Sequence, residues 1–208
     1  MIANSETRKG YIGGSDQYAV YGNYYTATFH KWWNEKITGI RLYDIKTRDM
    51  TFGSVVEGLI MDHMDIPKEN RHMKVFHPKF KMAGANTDAY WNGILMEIKT
   101  MNDKDAEKLV KGNKMKVGYR RQVYHTMWCG GITHAKISVL SIKPEEKENP
   151  FGIKIIEGEN LRHYDFELDP NDFDIPEHEI RIGYLSSCYE SRHLPSNEGL
   201  EMYRLHRV

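Results

Sequence analysis

Two carboxylates and an amine stand at a chemically useful spacing in residues 88–99, DAYWNGILMEIK. The Asn-Gly pair at 92–93, flanked by strand-forming residues, predicts a two-residue hairpin turn. Counting back from the turn places Asp88 opposite Glu97, and alternation of side chains puts Lys99 on the same face. Opposed Cβ atoms lie about 5 Å apart. The pattern therefore predicts two carboxylates and an ammonium in one cluster.

The chemistry of this cluster suits a divalent cation and a phosphate ester. Mg²⁺ and Mn²⁺ prefer carboxylate oxygens completed by waters and substrate phosphate oxygens. Lys99 could hold or deprotonate a water aligned on phosphorus. The alternative is an exposed ion pair, worth about 0–1 kcal/mol. The reverse face of the hairpin is apolar and must be buried, which favours the metal site. Its residues are Ala89, Trp91, Ile94, Met96 and Ile98.

The hairpin resembles the signature of the PD-(D/E)xK nucleases. More closely, the chain resembles the phage recombination exonucleases of the lambda exonuclease and YqaJ-like viral recombinase group. Thr87 stands where the signature name has proline. Three further motifs match in the expected order and extend the resemblance over residues 8–122. They are Arg8 with residues 11–22, residues 53–58, and residues 119–122.

The resemblance implies a role for each residue at the hairpin. Asp88 and Glu97 bind the metal ions, and the Ile98 carbonyl is a further ligand. Lys99 positions or deprotonates the attacking water. Glu57 supports a second ion.

The resemblance also assigns residues that hold DNA. Tyr119 and Gln122 help to place the scissile nucleotide or the lysine. Arg8 and Ser15 hold a terminal 5′-phosphate.

The three outer motifs can also be interpreted without the family resemblance. Ser15 and Asp16 could cap a helix from about residue 17, and its amino terminus could bind an anion or simply be an ordinary helix start. Glu57 lies at the edge of the apolar stripe of a predicted helix and is either half-buried or solvated. The stripe comprises Val56, Leu59, Ile60, His63 and Met64. Tyr119 and Gln122 share one helical face, where Tyr119 could equally pack in the core.

Composition predicts one soluble domain. The 208 residues are 40% hydrophobic and 28% charged, and no apolar run reaches the roughly 18 residues of a membrane span. The amino terminus shows no apolar signal segment, and two cysteines indicate a reducing compartment. We therefore expect a cytoplasmic protein, in a bacterial host if it is phage-encoded. Two cysteines also exclude a four-cysteine metal cluster within one chain.

Charge is divided unevenly along a chain whose net charge is zero. Residues 1–142 carry 21 Lys and Arg against 14 Asp and Glu, whereas residues 143–208 carry 8 against 15. The densest basic stretch, residues 104–121, follows the lysine strand and ends at Arg120 and Arg121. These side chains could bind DNA phosphates without reading sequence, or could form a solvated surface. The acidic part could lie away from DNA or meet a neighbouring subunit.

The element pattern predicts a single α/β or α+β domain over residues 1–208. A mixed central sheet flanked by helices would form a restriction-endonuclease-like nuclease core. Predicted helices cover about residues 17–36, 53–64, 102–110, 117–128 and 170–185. Predicted strands cover about residues 73–77, 85–100 (the hairpin), 133–142, 152–156 and 162–166.

Ten histidines form no His-x-x-x-His helix. His63, His72 and His77 are interpreted as ordinary surface residues or as residues that support metal ligands. No nucleophile–histidine arrangement is visible beside a strand, so a small-molecule hydrolase fits poorly.

The function predicted from these residues and the resemblance is a Mg²⁺-dependent 5′–3′ exonuclease. It would act on linear double-stranded DNA with 5′-phosphate ends and leave 3′ single strands for recombination. Two ions are expected, and Mn²⁺ should substitute for Mg²⁺. The alternatives are an endonuclease of the same fold and a catalytically idle DNA-binding subunit. By resemblance alone, the partners would be two further copies in a trimeric ring and a single-strand annealing protein.

Overall fold

The computed structural model describes residues 10–40, 47–112, 115–169 and 172–206, without the side chains of residues 110–112. Arg8 therefore lies outside the described residues. The α-helices there are α1 (Gln17–Val20), α2 (Ala27–Thr38), α3 (Arg48–His63), α4 (Asp103–Gly112), α5 (Val117–Gly130), α6 (Ile175–Ser191) and α7 (Asn197–Leu205). The strands are β1 (Lys74–Phe76), β2 (Gly84–Asn86), β3 (Ala89–Trp91), β4 (Ile94–Asn102), β5 (His134–Ile142) and β6 (Leu161–Glu167).

The central sheet has four strands in the order β3-β4-β5-β6. Strands β4 and β5 are parallel and are joined through α4 and α5, whereas β3 and β6 run antiparallel to their neighbours. Strands β1 and β2 form a separate antiparallel pair. The predicted mixed sheet with flanking helices is confirmed.

The hairpin has the predicted register. Asn92 and Gly93 both have positive φ, 52° and 79°, as a type I′ turn requires. Ala89 pairs with Met96, and Trp91 pairs with Ile94. Turn chemistry and strand alternation were sufficient to fix this element because both act over only a few residues.

Helix α3 covers the apolar face of the hairpin. Phe52, Val56 and Ile60, spaced four residues apart, pack in one cluster with Met96 and Ile98. Thr47 caps the helix, because its hydroxyl accepts a hydrogen bond from the Met50 N–H at 3.1 Å. The helix therefore begins at Arg48 rather than at the predicted residue 53. The predicted stripe was wrong at Leu59 and His63, which are not buried; Phe52 and Met61 are buried instead.

The opposite face of the sheet is also covered. Leu95, fully buried, joins a cluster with Val123 and Met127 of α5 and with Ile137 of β5. Because both faces are covered, polar side chains on this second face of β4 are removed from bulk water.

The predicted first helix is two helices, α1 and α2. Residues 21–26 separate them. The chain turns tightly at Gly22, where a Cβ would lie 2.6 Å from the Tyr18 carbonyl oxygen, and Thr26 caps the second helix by accepting a hydrogen bond from the Phe29 N–H. Aromatic side chains of this segment are typical of core packing: Tyr24, Phe29, Trp32 and Trp33 are buried, whereas Tyr25 is exposed.

Two predictions for the carboxyl-terminal part need correction, and one helix was missed. Residues 153–156 do not form a strand. The helix predicted at 170–185 begins at Ile175, where the Asp174 carboxylate accepts a hydrogen bond from the Glu177 N–H, and it ends at Ser191. Helix α7 was not predicted. Within the described ranges, no helix is long and apolar enough to cross a membrane.

Candidate active site

The two hairpin carboxylates lie at the edge of β4 that β3 leaves uncovered. One carboxylate oxygen of Asp88 accepts a hydrogen bond from the Ile98 N–H at 2.6 Å. Within a strand, the N–H and C=O of one residue point to the same side and successive residues point to opposite sides, so the Ile98 carbonyl points to the same side as that N–H. Glu97 is 1% exposed and accepts hydrogen bonds from Gln122 Nε2, at 2.5 Å, and from Lys99 Nζ. The cluster predicted from the sequence is therefore formed.

These carboxylates hold their protons unusually tightly. Burial, reinforced by the nearby Glu57 charge, raises the pKa of Asp88 to about 6. Burial, reinforced by Asp88, raises the pKa of Glu97 to about 7. The two charges repel one another in a poorly solvated place, so a cation would relieve both the repulsion and the loss of hydration.

Lys99 lies between the carboxylates and an aromatic ring. Its Nζ contacts Glu97 and lies 5.6 Å from the centre of the Tyr119 ring. Burial lowers the pKa of Lys99, but the charges of Glu97 and Asp88 outweigh that effect and raise it above its ordinary value. Without a cation, Lys99 is therefore a fixed ammonium group.

Glu57 faces the same cluster from α3. Its side chain is 23% exposed, so it is half-buried, and its Oε1 lies 3.3 Å from His72 Nδ1. Burial raises the pKa of Glu57, Lys99 lowers it, and Glu97 raises it further. Helix α3 thus brings a third carboxylate within electrostatic range of the hairpin.

The loop at residues 13–16 lies close to Gln122. Ser15 is exposed, as a ligand-binding hydroxyl must be, but Asp16 does not cap a helix as predicted. Its carboxylate instead accepts hydrogen bonds from the Gly13 N–H at 2.8 Å and from Lys36 Nζ at 2.7 Å. The Asp16–Lys36 pair is almost completely buried, and it fixes the loop that carries Ser15.

A cleft of about 450 Å³ connects this loop with the hairpin. Ser15 lies on its wall together with Asp88 and Gln122. Sequence reasoning missed three lysines that line the same cleft, Lys36, Lys74 and Lys81, together with the aromatic side chains of Tyr11 and Phe76. Lys74 and Phe76 alternate with the half-buried Val75 on β1, and this period-two pattern was the available signal. The cleft is therefore lined by carboxylate, hydroxyl and amine groups.

The close approach of the Ser15 loop to α5 depends on glycine. A Cβ added at Gly14 would lie 2.9 Å from Gln122 Cγ and 3.1 Å from Thr126 Oγ1. We expect Gly14→Ala to lower the free energy of unfolding by about 1–3 kcal/mol and to displace Gln122 from Glu97. Thermal unfolding measures the first effect. Gly118→Ala, in α5, is the control, because an added Cβ there meets nothing within 4 Å. Equal stability of the two variants would contradict the prediction.

The two predicted DNA-binding arginines of α5 lie beside the acidic part and α1. Arg120 forms an ion pair with Asp172 at 2.5 Å. The Arg121 guanidinium lies 4.4 Å from the centre of the Tyr21 ring. Neither residue lines the cleft described above. Their contact with DNA therefore stays a prediction.

A serine–histidine–glutamate arrangement lies beside a strand, contrary to the expectation from the sequence. Ser138 Oγ lies 2.8 Å from His163 Nδ1, and His163 Nε2 lies 2.9 Å from Glu157 Oε2. The residues met because β5 and β6 pair in a register that places Ser138 opposite His163. Ser138 is fully buried beneath Met64, so a substrate carbonyl cannot reach it. The arrangement connects β5 with β6 and does not support the function of a small-molecule hydrolase.

The donor atoms at the hairpin fit a hard divalent cation. Among the described residues, no three His, Cys, Asp or Glu side chains are placed as a complete metal centre. Asp88, Glu97 and the Ile98 carbonyl nevertheless supply oxygen donors, and Mg²⁺ in proteins is commonly held by one or two carboxylates with waters and phosphate oxygens. The mutual rise of the carboxylate pKa values shows that positive charge would stabilise the cluster.

Comparisons with solved structures identify the fold. The structure of LHK-Exo in complex with dAMP has a TM-score of 0.68 and 18% identity, covering 100% of this chain and 98% of that chain. An alkaline exonuclease from Laribacter hongkongensis, LHK-Exo, has a TM-score of 0.65 and 18% identity, with coverages of 96% and 94%. A phage related exonuclease from Haemophilus somnus 129PT has a TM-score of 0.60 and 13% identity, with coverages of 88% and 94%. The chain therefore has an alkaline exonuclease-like fold.

The family comparison is more specific than the fold. A search of curated proteins found no match. The family model described as YqaJ-like viral recombinase domain matches residues 5–133. These residues include the Ser15 loop, Glu57, the hairpin and Gln122, and they make up more than half of the sequence. The chain belongs to the YqaJ-like viral recombinase domain family.

Proposed function

We propose that this chain is a divalent-cation-dependent exonuclease that degrades linear double-stranded DNA from 5′-phosphorylated ends. It would leave 3′ single strands for recombination. The observation that carries this proposal is the cluster of Asp88, Glu97 and Lys99 beside a cleft that reaches Ser15. The fold and the recombinase-domain family agree with it.

The residues of the cluster would have different roles in the reaction. Asp88, Glu97 and the Ile98 carbonyl would hold the cation, with Glu57 available to a second ion. The cation, Mg²⁺ or Mn²⁺, would neutralise phosphate charge and favour ionisation of water. Binding it to Glu97 would withdraw the charge that raises the pKa of Lys99. The pKa of Lys99 would then fall, so that Lys99 could lose its proton to solvent and accept one from the attacking water, or remain an ammonium that stabilises the developing phosphate charge.

Gln122 and Tyr119 would keep this amine in place. Gln122 donates to Glu97 and can also accept a hydrogen bond, which suits a side chain that orients water or substrate. The Tyr119 ring lies against the Lys99 amine and restricts where it can move. These contacts support a positioning role for both residues.

Ser15, Lys74 and Lys81, which line the same cleft as Asp88, would bind the terminal phosphate. Hydroxyl and ammonium donors bind phosphate oxygens strongly. Arg8, by its place in the motif, would add a bidentate contact. A terminal phosphate held by these side chains would lie along the same cleft as the carboxylates, which favours the end-dependent reaction over internal cutting.

The deciding experiment compares three DNA substrates with Mg²⁺ and with chelator. Linear duplexes carry a 5′-phosphate or a 5′-hydroxyl, and the third substrate is a closed circle. We expect only the linear DNA to be digested, faster with the phosphate, and only with the cation. Digestion of the circle would indicate an endonuclease, and digestion of none would indicate an idle DNA-binding subunit.

A serine substitution tests the terminal-phosphate site. Ser15→Ala should reduce the preference for 5′-phosphate over 5′-hydroxyl ends by about tenfold, because it removes a donor to a charged group. Initial rates on the two linear duplexes measure the ratio. Ser187→Ala, an exposed position on α6, is the control. An unchanged ratio in Ser15→Ala would remove Ser15 from the site.

Assembly remains a proposal from the family resemblance. A trimeric ring around DNA and a single-strand annealing partner would both be consistent with degradation from an end. Sedimentation of the full chain with and without duplex DNA tests the ring.

A further inference from the structure

His72 lies opposite Asp88 in a ladder that joins the two sheets. Strands β1 and β2 pair with Lys74 opposite Asn86, and the bridge between Arg71 and Ala89 continues the same register. That register places His72 opposite Asp88. The His72 N–H donates to the Asp88 carbonyl at 2.8 Å. The backbone of His72 is thus tied directly to a residue of the candidate metal site.

The backbone at His72 is held in an unfavourable conformation. Its φ is +53°, in the left-handed region that only a few per cent of non-glycine residues adopt, histidine more often than most. Such strain persists only where surrounding structure imposes it, and it clusters at functional sites. The next ladder bond, from the Thr87 N–H to the Met73 carbonyl at 2.8 Å, fixes the other side of the kink.

This kink places the imidazole against Glu57. His72 Nδ1 lies 3.3 Å from Glu57 Oε1, a polar contact between the imidazole and the carboxylate. Glu57 comes from α3 and is separated in sequence from both hairpin carboxylates, so the contact with His72 links two elements that are distant along the chain. An imidazole with a proton on Nδ1 can present that N–H to a carboxylate.

We propose that His72 is a positioning residue whose imidazole contacts the Glu57 carboxylate and holds it toward the cation site. The inference rests on the proposed function for the existence of that cation. It assigns His72 a role through Glu57 and no contact with substrate. Residues that orient ligands in this way typically change metal affinity or activity by about 10–100-fold when removed.

Two substitutions distinguish the effect of the His72 side chain from the effect of its backbone conformation. His72→Gly permits φ of +53° and removes the donor. His72→Asn also tolerates the left-handed region, and its amide nitrogen corresponds to the position of Nδ1. Thermal unfolding with chelator should show that both variants fold at least as well as the original chain, because neither disturbs the ladder.

The measurement is binding of Mn²⁺, followed by electron paramagnetic resonance of the free ion without DNA. We expect His72→Gly to weaken binding at the Glu57-dependent site by about tenfold and His72→Asn to retain most of the affinity. In a Glu57→Gln background, His72→Gly should have no further effect. These three results together support the proposal.

Other outcomes overturn it. Unchanged Mn²⁺ binding in His72→Gly would show that Glu57 needs no positioning by His72. Equal losses in the glycine and asparagine variants, or a further loss in the Glu57→Gln background, would show that His72 acts by another route. Mn²⁺ binding with the expected pattern but no DNA cleavage would overturn the proposed function and leave the role of His72 standing. An original chain that binds no Mn²⁺ would overturn both.

Discussion

Replacing Lys99 by alanine should abolish DNA cleavage and leave DNA binding largely intact. Lys99 is the amine at the cluster, and it contacts Glu97 while the Tyr119 ring limits its movement. Proton transfer by a positioned group contributes about 10²–10⁴-fold to a rate, and stabilisation of phosphate charge would add to that loss. We therefore expect a decrease in the single-turnover rate at the upper end of this range.

The cleavage rate and DNA affinity must be measured separately. Rapid-quench digestion of a 5′-phosphorylated duplex gives the rate, and fluorescence anisotropy with Ca²⁺ in place of Mg²⁺ gives the affinity. Lys154→Ala, at an exposed position, controls for the loss of one positive charge. Comparable rates for Lys99→Ala and the original chain would remove Lys99 from the mechanism. Loss of binding equal to the loss of cleavage would make Lys99 a DNA-binding residue only.

Replacing Asp88 by asparagine should abolish cleavage and yet stabilise the metal-free protein at neutral pH. Asparagine can still accept the hydrogen bond from the Ile98 N–H, so the hairpin contact is retained. The substitution also removes the negative charge of Asp88, whose formation is opposed by burial and by the charge of Glu57. Loss of an oxygen ligand removes the cation and with it the rate enhancement.

The sign of the stability effect follows from the pKa values. The folded protein raises the pKa of Asp88 from 3.8 to about 6 and that of Glu97 from 4.5 to about 7. The contribution of these two carboxyl groups to the free energy of unfolding is fully present below about pH 4 and is lost as the pH rises through their folded-state pKa values. The cost at pH 8 is on the order of 2 kcal/mol for Asp88 after allowance for its partial exposure.

Urea unfolding with chelator at pH 5 and pH 8 checks this expectation. The original chain should be less stable at pH 8, and Asp88→Asn should recover much of the difference. Mg²⁺ should stabilise the original chain more at pH 8 than at pH 5, because protons compete for the same oxygens. Asp165→Asn, at an exposed position of β6, is the control for a lost surface charge. A variant that cleaves DNA, or is less stable than the original chain at pH 8, would contradict the assignment of Asp88.

The sequence by itself determined the hairpin and the face on which its charged side chains lie. An Asn-Gly turn and the two-residue period of strands act locally, so the pairing of Ala89 with Met96 and the shared face of Glu97 and Lys99 followed by counting. Helix starts were less predictable, because a single hydroxyl such as that of Thr47 can extend a helix beyond its apolar pattern.

Only the tertiary structure decided what surrounds that cluster. Local periodicity showed that one face of β4 is buried, but packing of α5 against the other face makes Glu97 inaccessible and raises its pKa. The same packing brings the Ser15 loop to Gln122, and Asp16 to Lys36, across intervals that no local pattern records. His72 meets Glu57 because two strands and a helix dock together. Such contacts depend on which distant surfaces fit, and chain-local preferences do not carry that information.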